Sequence, residues 1–380
     1  MQRIIALLLV WLLSACGAKD NSEPPAELTS IPDAIPLIVE WVVDTRAAPN
    51  HAGYRLRPLI VGDQAYTIDT SGLVRRIDLV KGRSLWRFDT SYHPITGLGG
   101  NDEQLLIVTS RDGDVVAYRE VEDGLEMLWS TRIGSEVRAP PVVDGEQVFV
   151  RSTDGRLRSL SASDGSQQWQ VSQRVPALSL TGNSMPVVFG DMVIVGADDG
   201  KLVAYDRNSA KTLWETTISQ PRGRTEVERL VDLDGHFVLR DSILYVVSFQ
   251  GHLAAVQAFN GDVIWSRQFS SYQAIAIDDD ALYLSSTEGD IWAIDRRTSA
   301  SFWKQDVLHA RRITAPTLVG DKLVVSDYEG YLHWFSRETG KLLGRRRATT
   351  ERNYVRPQLW NNTVITLDRL GFLSAISAQP

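Results

Sequence analysis

The sequence predicts an all-β fold: a closed eight-bladed β-propeller that forms a single domain over residues 35–380. Three observations support this prediction. A turn glycine recurs eight times, at steps of 41, 42, 45, 51, 38, 41 and 41 residues. Short segments with alternating apolar residues flank these glycines, and no helical periodicity is sustained between them. A repeat of about 42 residues with four short strands is typical of a propeller blade.

The repeating unit is clearest in residues 320–344, GDKLVVSDYEGYLHWFSRETGKLLG. Two alternating segments are joined there by a tight turn at Glu329-Gly330, where glycine tolerates the positive φ that such turns need. The eight turn glycines are Gly72, Gly113, Gly155, Gly200, Gly251, Gly289, Gly330 and Gly371. A tryptophan follows five of them by fourteen residues, which predicts aromatic packing of one blade on the next. These are Trp86, Trp169, Trp214, Trp265 and Trp303, whereas the seventh unit has Gly344 at this place.

The two ends of the repeat predict how the ring closes. The eighth unit has no residues left for an outer strand, because the chain stops at Pro380 soon after Gly371. A strand without a blade of its own, IPLIVEWVVDT at residues 35–45, precedes the first unit and carries Trp41. We expect this strand to complete the eighth blade, because a closed ring removes the open sheet edges that favour aggregation.

Residues 1–15 predict a lipoprotein signal peptide. Their ten-residue apolar run, residues 4–13, is shorter than the about 20 residues that cross a bilayer as a helix. The string LSAC that ends at Cys16 resembles the lipobox of bacterial lipoproteins, which implies cleavage before Cys16 and acylation of its thiol. The alternative is an ordinary secretion signal with an incidental cysteine. Cys16 is the only cysteine of the chain, so no intramolecular disulfide can form.

Residues 16–34 predict an acylated cysteine followed by a flexible tether. The stretch GAKDNSEPPAELTSIPDA is polar and Pro-rich, and its 18 residues reach at most roughly 60 Å when extended. The lipobox resemblance implies three acyl chains, and two or more hold a protein stably on a membrane. Gly17 stands where aspartate favours inner-membrane retention in similar lipoproteins, which implies an outer-membrane protein that faces the periplasm.

Composition and motifs argue against several function classes. The formal net charge of −7 does not suggest a nucleic-acid partner. No two of the six histidines have metal-ligand spacing, and no nucleophile motif or phosphate-binding loop is present, so we expect no enzyme, cofactor or metal. The basic cluster Arg345–Arg347, with Arg352 and Arg356 in the same connector, is either a solvated loop or a contact with an acidic partner or lipid headgroups.

Two blades are followed by longer connectors. The steps of 45 and 51 residues place the additional residues in 171–184 and 218–237, and insertions in repeat proteins often lie on the binding face. The first connector carries Leu178 and Leu180, and the second carries Asp232 and Asp234. These pairs predict a partner-binding surface. The alternative is that the leucines pack onto the propeller and the aspartates stabilise turns.

The blade sequences AYDRNSAKTLW, AVQAFNGDVIW and FSRETGKLLG resemble the repeat of the quinoprotein dehydrogenases. Those enzymes use pyrroloquinoline quinone (PQQ), are much longer, and in many cases stack the quinone on a disulfide between adjacent cysteines. This chain has one cysteine. The single cysteine argues against such a quinone site. The repeat resemblance still leaves an alternative function: a PQQ-type enzyme, or a periplasmic propeller that binds a small ligand or cell wall.

A more specific resemblance combines the lipobox, the Pro-rich tether, the quinoprotein-like blades, and the motifs LSL-x-G and RL-x-D-x-D in the two long connectors. Together they resemble the outer-membrane protein assembly factor B family, the lipoprotein subunit of the bacterial β-barrel assembly machinery (Bam complex). The resemblance implies a non-enzymatic scaffold that assists the folding and insertion of outer-membrane proteins, with the capture of unfolded clients as a weaker implication.

The family resemblance also implies which residues bind the partner. It assigns contacts with the periplasmic domains of the central barrel subunit to Leu178, Leu180, Asp232 and Asp234. The family pattern has an arginine after the second leucine, whereas this chain has Thr181. An arginine of the second connector is a candidate replacement: Arg222, Arg224 or Arg229.

Overall fold

The computed structural model describes residues 23–46, 56–101, 105–176, 178, 184–221, 224–225, 227–228, 230–233, 237–353 and 355–379. All regular elements in these ranges are β-strands, which form eight antiparallel sheets of four strands each. The prediction of an eight-bladed propeller is confirmed. The described residues include no helix long and apolar enough to cross a membrane.

The strands are numbered in chain order. They are β1 Leu37–Asp44; β2 Leu59–Val61, β3 Gln64–Ile68, β4 Leu73–Asp78 and β5 Arg83–Asp89 (blade one); β6 Gly99–Gly100, β7 Leu105–Thr109, β8 Asp114–Val121 and β9 Gly124–Arg132 (blade two); β10 Val142–Asp144, β11 Gln147–Arg151, β12 Arg156–Ser161 and β13 Gln167–Ser172 (blade three); β14 Val187–Phe189, β15 Met192–Gly196, β16 Lys201–Asp206 and β17 Thr212–Thr217 (blade four); β18 Val238–Arg240, β19 Ile243–Val247, β20 His252–Gln257 and β21 Val263–Gln268 (blade five); β22 Ala276–Ile277, β23 Ala281–Ser285, β24 Ile291–Asp295 and β25 Ser301–Gln305 (blade six); β26 Thr317–Val319, β27 Lys322–Ser326, β28 Leu332–Ser336 and β29 Leu342–Arg346 (blade seven); and β30 Gln358–Trp360, β31 Thr363–Leu367 and β32 Phe372–Ala378 (blade eight).

Each blade runs from its inner to its outer strand in chain order, as in β14-β15-β16-β17. The two middle strands are buried on both faces because each lies between two neighbouring blades; β15, MVIVG, is an example. The outer strands are more exposed; β17 (TLWETT) buries only Trp214 and half-buries Thr216. The core is therefore a ring of apolar clusters between blades, built from β-branched and aromatic residues that suit pleated surfaces.

The turn glycines behave as the sequence predicts, with one exception. Seven of the eight have φ between 77° and 94°, a region that favours glycine. In the fifth blade the positive φ of 50° belongs to Gln250 instead of Gly251. The turn itself is present in that blade, between β19 and β20.

The ring is closed by the N-terminal strand. Blade eight has the order β1-β32-β31-β30, so β1 is its outer strand. The antiparallel register runs from Leu37 opposite Ala378 to Asp44 opposite Phe372, with an irregularity between Val39 and Trp41. The prediction that residues 35–45 complete the eighth blade is confirmed.

The outer-strand tryptophans pack on the following blade, and most of them donate an indole hydrogen bond to its backbone. Trp41 Nε1 donates a hydrogen bond to Leu79 O in blade one at 3.0 Å, and Trp303 Nε1 donates to Arg337 O in blade seven at 3.0 Å. At four of these tryptophans a glycine of the following blade lies so close that a Cβ there would overlap the indole ring. The pairs are Trp41–Gly82, Trp129–Gly165, Trp214–Gly261 and Trp303–Gly340. The predicted aromatic packing between blades is confirmed.

Blade seven replaces its missing tryptophan with Ile35, which precedes β1, and Leu37, which begins it. A Cβ on Gly344 would lie 3.0 Å from Ile35 Cγ1 and 3.1 Å from Leu37 Cδ1, so these apolar side chains cover Gly344. The backbone joins the contact, because Ile35 N donates to Leu343 O at 3.0 Å. The N-terminal residues thus do the packing that an indole does elsewhere in the ring.

Residues 23–36, here called the N-terminal segment, lie against blades six and seven. Ala26 N donates to His309 O at 3.0 Å, the Arg345 guanidinium donates to Thr29 O at 2.9 Å, and Leu28 packs on the apolar cluster between these blades. The expectation of a flexible tether over residues 16–34 is therefore wrong for residues 23–34. Its remainder, with Cys16 and the predicted signal peptide, lies outside the described residues.

Candidate partner-binding face

One face of the propeller carries all connectors between blades. Strand direction alternates within a blade, so the connector from an outer strand and the turn between the second and third strands meet at the same end. Backbone hydrogen bonds join them, for example from Ile218 N to Gly200 O at 2.9 Å and from Gln173 N to Gly155 O at 2.8 Å. This end is called the connector face below. The two long connectors, residues 173–186 and 218–237, lie next to each other on it.

The first long connector presents apolar side chains to solvent. Leu178 is 42% exposed and Val175 is 38% exposed. Residues 177 and 179–183 lie outside the described residues, and with them Leu180 and Thr181. Because it is exposed, Leu178 does not pack onto the propeller, which excludes that alternative for this leucine. Sequence reasoning missed Val175, although it is an apolar residue in the same inserted connector and carries the same signal.

The second long connector folds back into the core. Leu230, Val231 and Leu233 are buried, and Leu233 packs with Phe237 in the apolar cluster between blades four and five. Asp232 lies among them with 1% exposure, and its carbonyl accepts a hydrogen bond from Phe249 N at 3.2 Å. Asp232 therefore does not present its carboxylate at the surface in this conformation, which differs from the expectation of a direct contact. The physical reason is that the leucines on either side anchor the connector inward.

The remaining predicted positions of the second connector are only partly described. Asp234, Arg222 and Arg229 lie outside the described residues. Arg224 is described through its backbone, whose N–H donates to Glu228 Oε2 at 2.7 Å in a local turn. Val227 of this turn is strongly exposed and was missed by the sequence analysis. A contact between Asp234 or these arginines and a partner stays a prediction.

One group of carboxylates and a histidine has metal-like spacing. Single ligand atoms of Glu288, Asp290 and His309 lie within 4.8 Å of one another. However, Lys304 Nζ contacts Asp290 Oδ2 at 2.7 Å, and the His309 ring nitrogens contact Asp290 at 2.9 Å and Glu23 at 3.2 Å. Hydrogen bonding to Asp290 and then to Glu23 raises the pKa of His309. The group is an ion-pair network that fastens the N-terminal segment to blade six.

The Arg345–Arg347 cluster is largely used within the protein. Arg345 holds Thr29 O, and Arg347 donates to Glu329 O at 3.3 Å. Both guanidinium groups lie over the Tyr331 ring, at 5.9 Å and 4.7 Å from its centroid. Arg346 is the exposed member of the cluster. The alternatives of a solvated loop and of a headgroup or acidic-partner contact therefore apply mainly to Arg346.

The fold and this face define a class of protein: a closed propeller whose lengthened connectors expose apolar side chains on one face. The family model described as outer membrane protein assembly factor BamB matches residues 39–305. The chain belongs to the outer membrane protein assembly factor BamB family. This family is named for an assembly role, which agrees with the prediction of a non-enzymatic protein and does not favour the PQQ-enzyme alternative.

Individual relatives agree with this family. The outer membrane protein assembly factor BamB of Bordetella pertussis is 32% identical over 346 residues, which cover 90% of this chain and 88% of the relative. The crystal structure of BamB from Moraxella catarrhalis superposes with a TM-score of 0.80 at 23% identity, over 90% of this chain and 99% of that one. The quinohemoprotein alcohol dehydrogenase from Comamonas testosteroni has a TM-score of 0.71 at 11% identity, over 90% of this chain and 76% of that one, which shows a shared fold alone.

Proposed function

We propose that the chain is a non-enzymatic scaffold that assists the folding and insertion of outer-membrane proteins as a subunit of the β-barrel assembly machinery. In this proposal Cys16 is acylated and holds the protein at the inner leaflet of the outer membrane, where the propeller faces the periplasm. Family membership and the names of the relatives support the assembly role. The observation that carries the proposed site is the exposed leucine on a lengthened connector, Leu178.

The proposed partner is the central barrel subunit, bound through its periplasmic domains. An exposed leucine on the same connector as the exposed Val175 gives an apolar contact that a partner domain can cover, and burying a leucine contributes about 1.5–3 kcal/mol. Leu180, Thr181 and Asp234 are proposed to extend this contact along the two connectors. Asp232, which is buried, is proposed to act by holding the second connector in position. Direct capture of unfolded clients is less well supported, because a closed propeller offers few free edges: the inner edge strand of each sheet faces the central channel.

The experiment measures binding of the purified propeller to the separately purified periplasmic domains of the barrel subunit from the same bacterium. Leu178→Asp removes the apolar contact and adds a charge, so Kd should rise at least about tenfold, since 1.4 kcal/mol is a factor of ten. The matched control is Leu213→Asp, because Leu213 is 46% exposed on the outer strand of blade four and away from the connector face.

The outcomes separate the function from the site. Copurification of a large outer-membrane barrel protein with the tagged wild-type chain, extracted in mild detergent, supports the assembly role. If no such protein comes with the wild type, the proposed function is wrong. If the barrel protein binds but Leu178→Asp and Leu213→Asp behave alike, with unchanged melting temperatures, the function stands and the assigned contact is wrong.

A further inference from the structure

The central channel contains a cavity of about 750 Å³ at the connector face. It is lined by the first residues of the inner strands and by the residues that lead into them, and inner strands begin at this face. The walls are mainly apolar, with Leu59, Val187, Val238, Ile277, Leu318 and Leu359 among the lining residues. A volume of this size is in the range of sites for small organic molecules, which are about 300–1,000 Å³.

Two arginines from opposite ends of the chain supply the charge of this cavity. Arg57 precedes β2 and Arg356 precedes β30, so blades one and eight bring them together across the ring closure. Gln358 Nε2 donates to Pro58 O at 2.9 Å and ties the two segments to each other. A Cβ on Gly97 would overlap Arg57 O, so the backbone at Arg57 is held by close packing.

These guanidinium groups lack a counter-charge within the described part of the chain. No acidic side chain lines the cavity, neither arginine forms an ion pair there, and Arg356 Nε is buried with no hydrogen-bond partner. Burial lowers the pKa of Arg356 to about 10, and the charge of Arg57 contributes to this. Burial also lowers the pKa of Arg57. Placing two cations side by side in an apolar cavity is unfavourable unless an anion neutralises them.

We propose that this cavity binds an amphiphilic anion, with a carboxylate or phosphate headgroup between Arg57 and Arg356 and an apolar tail against the inner strands. The planar guanidinium group suits such headgroups because it donates two parallel hydrogen bonds to their oxygens. The site does not depend on the proposed function. It lies beneath the candidate partner surface, since Met185 and Phe237, at the ends of the two long connectors, also line the cavity.

Calorimetric titration of the full-length protein with octanoate and octyl phosphate, below their micellar concentrations, tests the proposal. Octanol and octyltrimethylammonium carry the same tail with no charge and with a positive charge. We expect saturable binding of at least one anion, at least about tenfold tighter than either control. The tighter of the two anions identifies the headgroup. Arg57→Gln and Arg356→Gln should each weaken the binding about tenfold or more, and Arg346→Gln, at an exposed arginine, should leave it unchanged.

Melting temperatures distinguish a variant that has lost the binding site from one that folds poorly. The preferred anion should raise the melting temperature of the wild-type protein, whereas octanol should not. Arg356→Gln should keep or raise the melting temperature without ligand, because it removes one of two repelling charges. The proposal is overturned if octanol binds as tightly as the anions, if neither anion raises the melting temperature, or if Arg346→Gln weakens binding as much as Arg356→Gln.

Discussion

Replacing Trp41 by alanine removes the side chain through which the N-terminal strand holds blade eight to blade one. The indole donates its hydrogen bond to Leu79 O at 3.0 Å, covers Gly82, and packs on the apolar cluster shared by the two blades. The hydrogen bond spans only 38 residues of sequence. However, β1 pairs with β32 from the far end of the chain, so the indole attaches blade one to a blade that is built from both termini. Its loss should therefore lower the stability of the whole propeller.

The size of the effect follows from burial. Truncating a core tryptophan to alanine costs about 3–5 kcal/mol. Trp41 is only partly buried, which favours the lower end, and an unmet hydrogen bond at the buried Leu79 adds about 1 kcal/mol. With an unfolding entropy of about 2.1 cal/mol/K per residue over roughly 345 residues, a loss of about 4 kcal/mol lowers the melting temperature by about 5–6 °C.

The assay is differential scanning calorimetry of three variants. Trp303→Ala removes the equivalent indole within the continuous part of the chain and should lower the melting temperature by a similar amount, because its hydrogen bond and glycine contact are the same. Val42→Ala is the control, since Val42 lies on β1 but is 42% exposed, and should shift melting by about 1 °C or less. If Trp41→Ala melts like Val42→Ala while Trp303→Ala melts lower, the reasoning about ring closure is refuted.

Two further predictions concern the N-terminal segment. Gly344→Trp restores the tryptophan of the other blades but needs the space that Ile35 and Leu37 occupy. It should lower the free energy of unfolding by about 1–3 kcal/mol and make residues 23–36 accessible to limited proteolysis. Unchanged cleavage would contradict this prediction. The raised pKa of His309 means that its ion pairs stabilise the folded state below its usual pKa of about 6.5, and that this contribution is lost as the pH rises through the raised value. Hydrogen exchange at Ala26 N, corrected for the intrinsic rate, should therefore be slower at pH 6 than at pH 9. His309→Gln should remove this difference. If the wild type and the variant show the same pH dependence, the His309 ion pairs do not fasten the N-terminal segment.

The propeller could be predicted because its signals are short-range sequence preferences or follow from the spacing and number of the repeats. A turn that needs a positive φ selects glycine at one place in each blade, as at Gly330, and outer-strand indoles recur at a fixed distance from it. Ring closure followed from counting strands, because the eighth unit lacked one and the N-terminus had one to spare. Neither inference required knowing which side chains touch.

The features that could not be predicted depend on contacts between distant residues. The Pro-rich composition before β1 is typical of a tether, yet His309 and Arg345 bind its backbone from 283 and 316 residues away. Arg57 belongs to no pattern in the sequence, and Arg356 stands among the basic residues between blades seven and eight. The two arginines meet only because the ring closes between them. The alternate aspartates of the second connector suggested a surface, but the leucines around Asp232 turn that part of the connector inward.

The docked N-terminal segment shortens the free stretch of chain between Cys16 and the propeller. Its first described residue, Glu23, contacts His309 on the connector face, so under the proposed anchoring only the seven residues from Cys16 to Ser22 separate the lipid from the fixed body. Their reach is at most roughly 25 Å, compared with roughly 60 Å for a free tether of 18 residues. The volume that the anchored propeller can reach scales with the cube of this length. The shorter connection would therefore raise the effective concentration of the propeller at a membrane-bound partner about tenfold. If Cys16 is acylated as proposed, the same short connection would also keep the rim of blades six and seven close to the bilayer and restrict the orientations from which docking begins.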